Sequence, residues 1–285
     1  MKAQIKKVAT ILNEASKVSA FVWNHPANNN RKLLQLAKAM NFQLRARAFN
    51  YRPQVLVGTS AKIWVDLHRT SSTKALYANP PDWPEMKVWQ EFLKLGDLFI
   101  DVGANVGAYS VLAASLGAEV IAIEAAPDTF ELLEENIDLN GFKDVTLLNA
   151  AASNFIGETK FTKGFDSVNR ISDDGTDTVK TVTIDSIIGD KKVKGMKVDV
   201  EGFELNVLQG AKIALQEQRI SLLQLEWNDA SFDALGTNRD PAESLLRDFS
   251  YEILRPNQLG HLRLDHKHEG ISDIFAAPKG MFSSI

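Results

Sequence analysis

The stretch that most limits what this chain can fold into is LFIDVGANVG, residues 98–107. An apolar run ends at Asp101, then turns through Gly103 and Gly107 into a segment of helical character. A second apolar run, EVIAIE, ends in Glu124, seventeen residues past Gly107. Strand, acid, glycine turn, helix, strand, acid is the order that holds a nucleoside at the C-terminal edge of a parallel sheet. Glycines let the backbone approach a ligand closely. A carboxylate ending the second strand can accept hydrogen bonds from both ribose hydroxyls. The pattern predicts an α/β fold that binds an adenosine-containing cofactor.

The glycine spacing narrows the cofactor. A dinucleotide turn reads G-x-G-x-x-G and rests a pyrophosphate on the helix N-terminus. Here three residues separate Gly103 from Gly107, and Asn105 stands between them. An anionic Asp101 just before the turn would repel a pyrophosphate, yet it suits the sulfonium and amino group of S-adenosylmethionine.

From Leu98 onward strands and helices alternate. Strands are expected at 98–103, 119–124, 145–150, 195–200 and 221–227, helices at 106–116, 127–139, 203–217 and 241–249, and closing strands at 251–256 and 273–278. The strand ends deliver Asp101 and Gly103, Glu124, Asn149, Asp199 with Glu201, and Glu226 with Asn228 to one edge. Ligands of open α/β sheets bind at that edge. A polar insertion at 152–194 interrupts the pattern, with strands expected around GETKFT and TVKTVTIDSI. Its DDGTD run, 173–177, is read as a surface turn because no calcium-ligand series follows it.

The run KVDVEGFE at 197–204 alternates charge with valine and places Lys197, Asp199 and Glu201 on one face. A central parallel strand is normally apolar on both faces. Carboxylates buried there are costly unless paired or kept wet. Asp199 or Glu201 is therefore a candidate general base or orienter of an acceptor hydroxyl, with Lys197 as partner; an ion pair of purely structural purpose is the competing reading. His266, in the run HLRLDHKH, is a further candidate proton acceptor. No metal ligand set is assigned, and His25 and His68 read as structural.

These motifs together resemble the FkbM-type family of S-adenosylmethionine-dependent methyltransferases. The resemblance is carried by FIDVGANVG (99–107), IEAAPDTFELLEENIDLN (123–140), LLNAAAS (147–153) and KVDVEGFELNVLQGA (197–211). It implies a class I, Rossmann-like, seven-stranded mostly parallel sheet with helices on both faces. It implies S-adenosylmethionine as cofactor, with Asp101, Gly103, Asn105 and Gly107 lining the methionine end, Glu124 at the ribose, and residues 199–204 flooring the site. Members commonly methylate hydroxyl oxygens of sugars, glycolipids and natural products, so a small-molecule or carbohydrate hydroxyl is the implied acceptor. The best-matched core is 98–227.

The rest of the chain is less telling. The domain division is a basic helical extension, 1–52, and a methyltransferase domain, 53–285. The extension holds ten Lys or Arg against one acid, a net of +9, while the remainder carries −13. Its two helices, one ending near Trp23 and one spanning 31–49, bear apolar stripes: Ile5, Val8, Leu12, Ala15 and Val22 on the first, Leu33, Ala37, Met40 and Leu44 on the second. Each stripe should be buried against the main domain or a partner. Peripheral membrane contact and self-association through these helices are both open readings; nucleic acid is not an expected partner, since no aromatic stacking pattern accompanies the charge. Residues 54–78 alternate like short strands, KIWVDLH and the stretch ending KALYA among them, and NPPDWP (79–84) reads as a rigid turn into a helix at 85–95 rather than as an amino-methyltransferase motif. The chain has no cysteine, and it shows neither a signal-peptide pattern nor a spanning apolar run, which makes the cytoplasm the expected location. The rival functions are a nucleic-acid or protein methyltransferase docking through the basic arm, and a non-catalytic nucleotide-binding module.

Overall fold

A computed structural model describes residues 2–162, 171, 174–227, 238–265 and 273–282, with side chains from residue 13 onward. In chain order the elements are α1 (Lys2–Asn24), α2 (Lys32–Phe49), β1 (Gln54–Val57), β2 (Ala61–Trp64), α3 (Thr70–Tyr77), α4 (Glu85–Phe92), β3 (Leu98–Val102), α5 (Ala108–Ser115), β4 (Glu119–Glu124), α6 (Pro127–Asn140) and β5 (Val145–Asn149). They continue with β6 (Ala151–Ala152), β7 (Gly157–Phe161), β8 (Asp177–Val182), α7 (Ile184–Ile188), β9 (Val193–Val198), α8 (Glu204–Gly210), α9 (Lys212–Gln216) and β10 (Ile220–Glu226). A helix Asp240–Asp248, then β11 (Tyr251–Pro256), β12 (Leu262–Leu264) and β13 (Asp273–Pro278) complete the order.

Apolar runs bounded by turns give strands buried on both faces, and those strands stack as the sheet β12-β11-β13-β10-β9-β3-β4-β5. β10, β9, β3, β4 and β5 are parallel neighbours, and β13, β11 and β12 run antiparallel at one side. The sheet is the expected class I arrangement with one strand more than expected. The three-residue β12 is too short to show a period in sequence, and it adds an eighth, edge position. One apolar cluster packs α7, α8, α9 and the helix Asp240–Asp248 on one face; a second packs α4, α5 and α6 on the other. The described residues of the 152–194 insertion form a separate small sheet, β6-β8-β7, and the helix α7.

Three local expectations are corrected and a fourth is narrowed. The stretch ending KALYA is the helix α3, not a strand: Ser72 and Thr73 turn their hydroxyls onto the carbonyls of Arg69 and Thr70, 3.0 Å each, which accommodates them in a helix. The end of TVKTVTIDSI is also helical, because Thr183 caps α7 by accepting from the Ser186 amide. The single helix expected over 203–217 is two, broken at Ala211, where Gly210 lies so close to the Ser153 carbonyl that an added Cβ would sit 2.0 Å from its oxygen. Finally, the α2 stripe of Leu33, Ala37, Met40 and Leu44 is exposed, so of its two expected covers the main domain is not the one. The opposite face, Ala39, Phe42 and Ala46, is the buried one and packs with Val22, Val65 and Tyr77.

Candidate active site

A cleft of about 240 Å³ opens at the C-terminal edge of β3, β4, β9 and β10. On one side the turn after β3 presents Gly103, Ala104 and Asn105, and the end of β4 presents Glu124, Ala125 and Ala126. Gly103 has φ +74°, and a Cβ there would meet the Asp199 carbonyl oxygen at 1.9 Å. Only glycine lets the two strand ends approach this closely. Asn105 is also left-handed, φ 53°, and its Oδ1 accepts from the Val106 amide and from Ser71 Oγ at 2.8 and 2.7 Å. Glu124 is buried, and burial raises its carboxyl above the usual range. Its Oε2 accepts from the Asn105 amide and its Oε1 from the Ala126 amide, at 2.9 and 2.8 Å. A carboxylate has about four lone-pair sites, so the fixed group can still accept from a diol.

Facing this cradle is the end of β9. Lys197 Nζ lies 2.9 Å from Asp199 Oδ2 and 4.8 Å from the centre of the Tyr109 ring. Burial works against the Lys197 ammonium, but Asp199 and Asp101 outweigh it and hold its pKa well above the ordinary value. Carboxylate oxygens of Asp199, Glu201 and Glu226 lie within 4.8 Å of one another. Burial, then the charges of Asp199 and Glu201, push the Glu226 carboxyl up to about 9. Glu201 is left-handed, φ 55°. Strained backbone of this kind persists where surrounding structure enforces it, often at functional sites.

The expected residues divide into two groups. Gly103, Asn105, Glu124, Lys197, Asp199 and Glu201 all line the cleft. Asp101, Gly107 and Asn149 stand behind its walls. Asp101 is 1% exposed, with Oδ2 accepting from Ser110 Oγ at 2.6 Å, and its backbone is in register with Lys197. Gly107, φ +86°, opens α5 against Leu133. Asn149 donates to the Glu124 and Ala125 carbonyls and fixes the end of β4. His266 lies outside the described residues, as does Asn228. His25 is structural as expected, with Nε2 3.0 Å from the Pro81 carbonyl oxygen.

Other lining residues carried no sequence signal. Thr70, Ser71 and Lys74 of α3, and Pro81 and Asp82 of the NPPDWP turn, form one wall. That turn leads into the helix α4, as its prolines suggested, but no sequence signal pointed to its part in the cleft. Phe161 and Ile171 come from the insertion. Among the described lining residues, five carboxyl groups (Asp82, Glu124, Asp199, Glu201, Glu226) face two ammonium groups (Lys74, Lys197).

A Rossmann-like sheet with the glycine turn and acids at its carboxyl edge defines a class I methyltransferase. The chain belongs to the FkbM family: the family's model, Methyltransferase FkbM domain, matches residues 101–253. The hexuronic acid methyltransferase AglP of Haloferax volcanii is 34% identical over 135 residues, which are 45% of this chain and 56% of AglP. A Methanocaldococcus jannaschii protein named provisionally as a ribosomal RNA large subunit methyltransferase is 28% identical over 128 residues, 44% of this chain and 30% of that one. The chain thus spans about half or less of the curated relatives it matches. Among solved structures, the ribosomal protein L11 methylase of Lactobacillus delbrueckii subsp. bulgaricus aligns at 16% identity and TM-score 0.39, over 68% of this chain and 74% of that one.

Family and fold imply S-adenosylmethionine as methyl donor, and the residues present fit it. The cradle is one that a Cβ at Gly103 would fill. The acid excess suits a cationic sulfonium and ammonium. Among the described residues, no helix is long and apolar enough to cross a membrane.

Proposed function

We propose that this chain methylates a hydroxyl oxygen of a sugar or related polyol. Gly103, Asn105 and Glu124 hold the cofactor, and Asp199, Glu201 and Glu226 receive the acceptor. The observation that carries this reading is the convergence of three carboxyl groups beside the cradle, within 4.8 Å of one another. AglP, a hexuronic acid methyltransferase by name, supports a carbohydrate acceptor. Residues 1–52 are read as an extension appended to the methyltransferase unit.

S-adenosylmethionine supplies an electrophilic methyl group on a sulfonium. The protein's own task is alignment and removal of the hydroxyl proton. Asp199 takes that proton, oriented by Lys197, whose Nζ lies 2.9 Å from its Oδ2. Burial and the neighbouring Asp199 and Glu201 charges favour the protonated form of Glu226, which can donate a hydrogen bond to a neighbouring hydroxyl. A nucleic-acid acceptor suits this cleft poorly, because its acid excess repels phosphate.

The test is transfer of an isotopically labelled methyl group to a panel of neutral glycosides, uronate glycosides, ribosomal RNA and protein. Labelled methyl ethers on glycosides, lost with Asp199→Asn, support the reading. Label appearing only in nucleic acid or protein overturns it, and cofactor binding without any transfer would indicate a non-catalytic module.

A further inference from the structure

We propose that the outward face of α2 docks on an anionic lipid surface. Leu33, Met40 and Leu44 are 75%, 64% and 66% exposed, and Ala37 and Leu34 are exposed beside them. At helical spacing they form one continuous apolar stripe on the side opposite Ala39, Phe42 and Ala46, which are buried. Lys38 and Arg45 flank the stripe on one side and Arg47 on the other. Such a helix lies in a membrane interface with its apolar face in the headgroup boundary and its long basic side chains reaching lipid phosphates. Trp23, half exposed at the end of α1 with Lys32 Nζ 5.3 Å from its ring centre, adds the amphipathic aromatic typical of that boundary.

Charge selects lipid over a second copy of the chain. Pairing two α2 stripes would bring together two segments of net +9. The acidic body offers no helical stripe to match it among its described residues: apart from the adjacent Phe155 and Ile156, its exposed large apolar side chains stand singly in separate strands, turns and helices. An anionic surface attracts the +9 segment, repels the −13 remainder, and so orients the molecule with α2 downward. Two local bonds are compatible with docking. Arg45 rests on the Tyr51 ring at 3.7 Å, and Arg47 pairs with Glu14 at 3.2 Å on the surface.

The docking helix is tied through α3 to the cleft. Gln35 and Asn28 bond the carbonyls of Leu76 and Tyr77 at the end of α3, and α3 carries Ser71 and Lys74 into the cleft. The docking itself does not depend on the acceptor reading.

The test is co-sedimentation of the full chain with phosphatidylcholine vesicles and with equal mixtures of phosphatidylcholine and phosphatidylglycerol. We expect binding to the anionic vesicles only, weakened by salt. With L33S/M40S/L44S binding should fall by about tenfold or more, with unchanged circular dichroism. Met40→Ser alone, which removes one exposed side chain, should give a smaller loss in the same direction and guards against misfolding of the triple variant. No binding to anionic vesicles, or binding by the triple variant equal to that of the unsubstituted chain, overturns the proposal. So does a dimer in analytical ultracentrifugation that the triple variant converts to monomer without vesicle binding, because the face would then join two copies.

Discussion

Lys197 and Asp101 are ionisable groups sealed inside the central sheet, whereas Leu33, Met40 and Leu44 are aliphatic groups held in water on α2. Each set inverts the usual sorting of residues. At the sheet edge the inversion is compensated in the main: Lys197 finds Asp199, Asp101 Oδ2 accepts from Ser110 while its Oδ1 stays unpartnered, and Glu124 accepts two backbone amides. Along α2 nothing described covers the apolar side chains. A compensated inversion marks a site complete within one chain. An uncompensated one marks a surface whose complement lies outside it.

Five substitutions would break or sharpen this contrast. The largest effect should come from Asp199→Asn, which removes the proposed proton acceptor. Turnover should fall by about 100-fold or more while cofactor affinity changes little, read from kinetics and calorimetry on one preparation. Phe42→Ala, on the buried side of α2, should cost about 3–5 kcal/mol in denaturant unfolding by opening a cavity. Gly103→Ala drives a methyl group against the Asp199 carbonyl at a positive φ; about 2–3 kcal/mol of stability and most cofactor affinity should be lost together.

Glu204 gives a pH-dependent prediction. Burial pushes its carboxyl from 4.5 up to about 7. The native state therefore keeps a proton that the unfolded chain has released, and stability falls as pH rises from about 4.5 to 7, then levels off. Glu204→Gln should remove roughly 1–3 kcal/mol of that slope, seen as a flatter plot of thermal midpoint against pH. The smallest effect should be that of Met40→Ala, within about 0.5 kcal/mol of wild type, because it uncovers nothing packed. A large loss there would mean that α2 is buried in solution.

The parallel strands and the cofactor edge were legible because each strand is a short apolar run that ends on a polar residue at a glycine turn. Their neighbours follow from chain order. The cleft's other wall was not legible. Lys74, Pro81 and Asp82 reach it from before β3, and no periodicity links them to Asp199, more than a hundred residues later. α3 was missed because its hydroxyl-rich first turn reads as strand until the Ser72 and Thr73 side chains are seen on the preceding carbonyls. The α2 stripe was found, but its periodicity did not decide between the main domain and a partner as its cover. Periodicity identifies an apolar face and leaves open whether protein, lipid or water meets it; here the smaller Ala39–Ala46 face with Phe42 is the one the protein covers.

The most direct test of the central claim is calorimetric titration of the full chain and of Glu124→Ala with S-adenosylmethionine, S-adenosylhomocysteine and NAD. The account predicts that the first two bind and NAD does not. Loss of Glu124 should weaken binding by about 10- to 100-fold, as expected for charge-assisted hydrogen bonds to the ribose. Binding of NAD alone, or an affinity untouched by Glu124→Ala, would contradict the placement of the cofactor at the edge of β3 and β4.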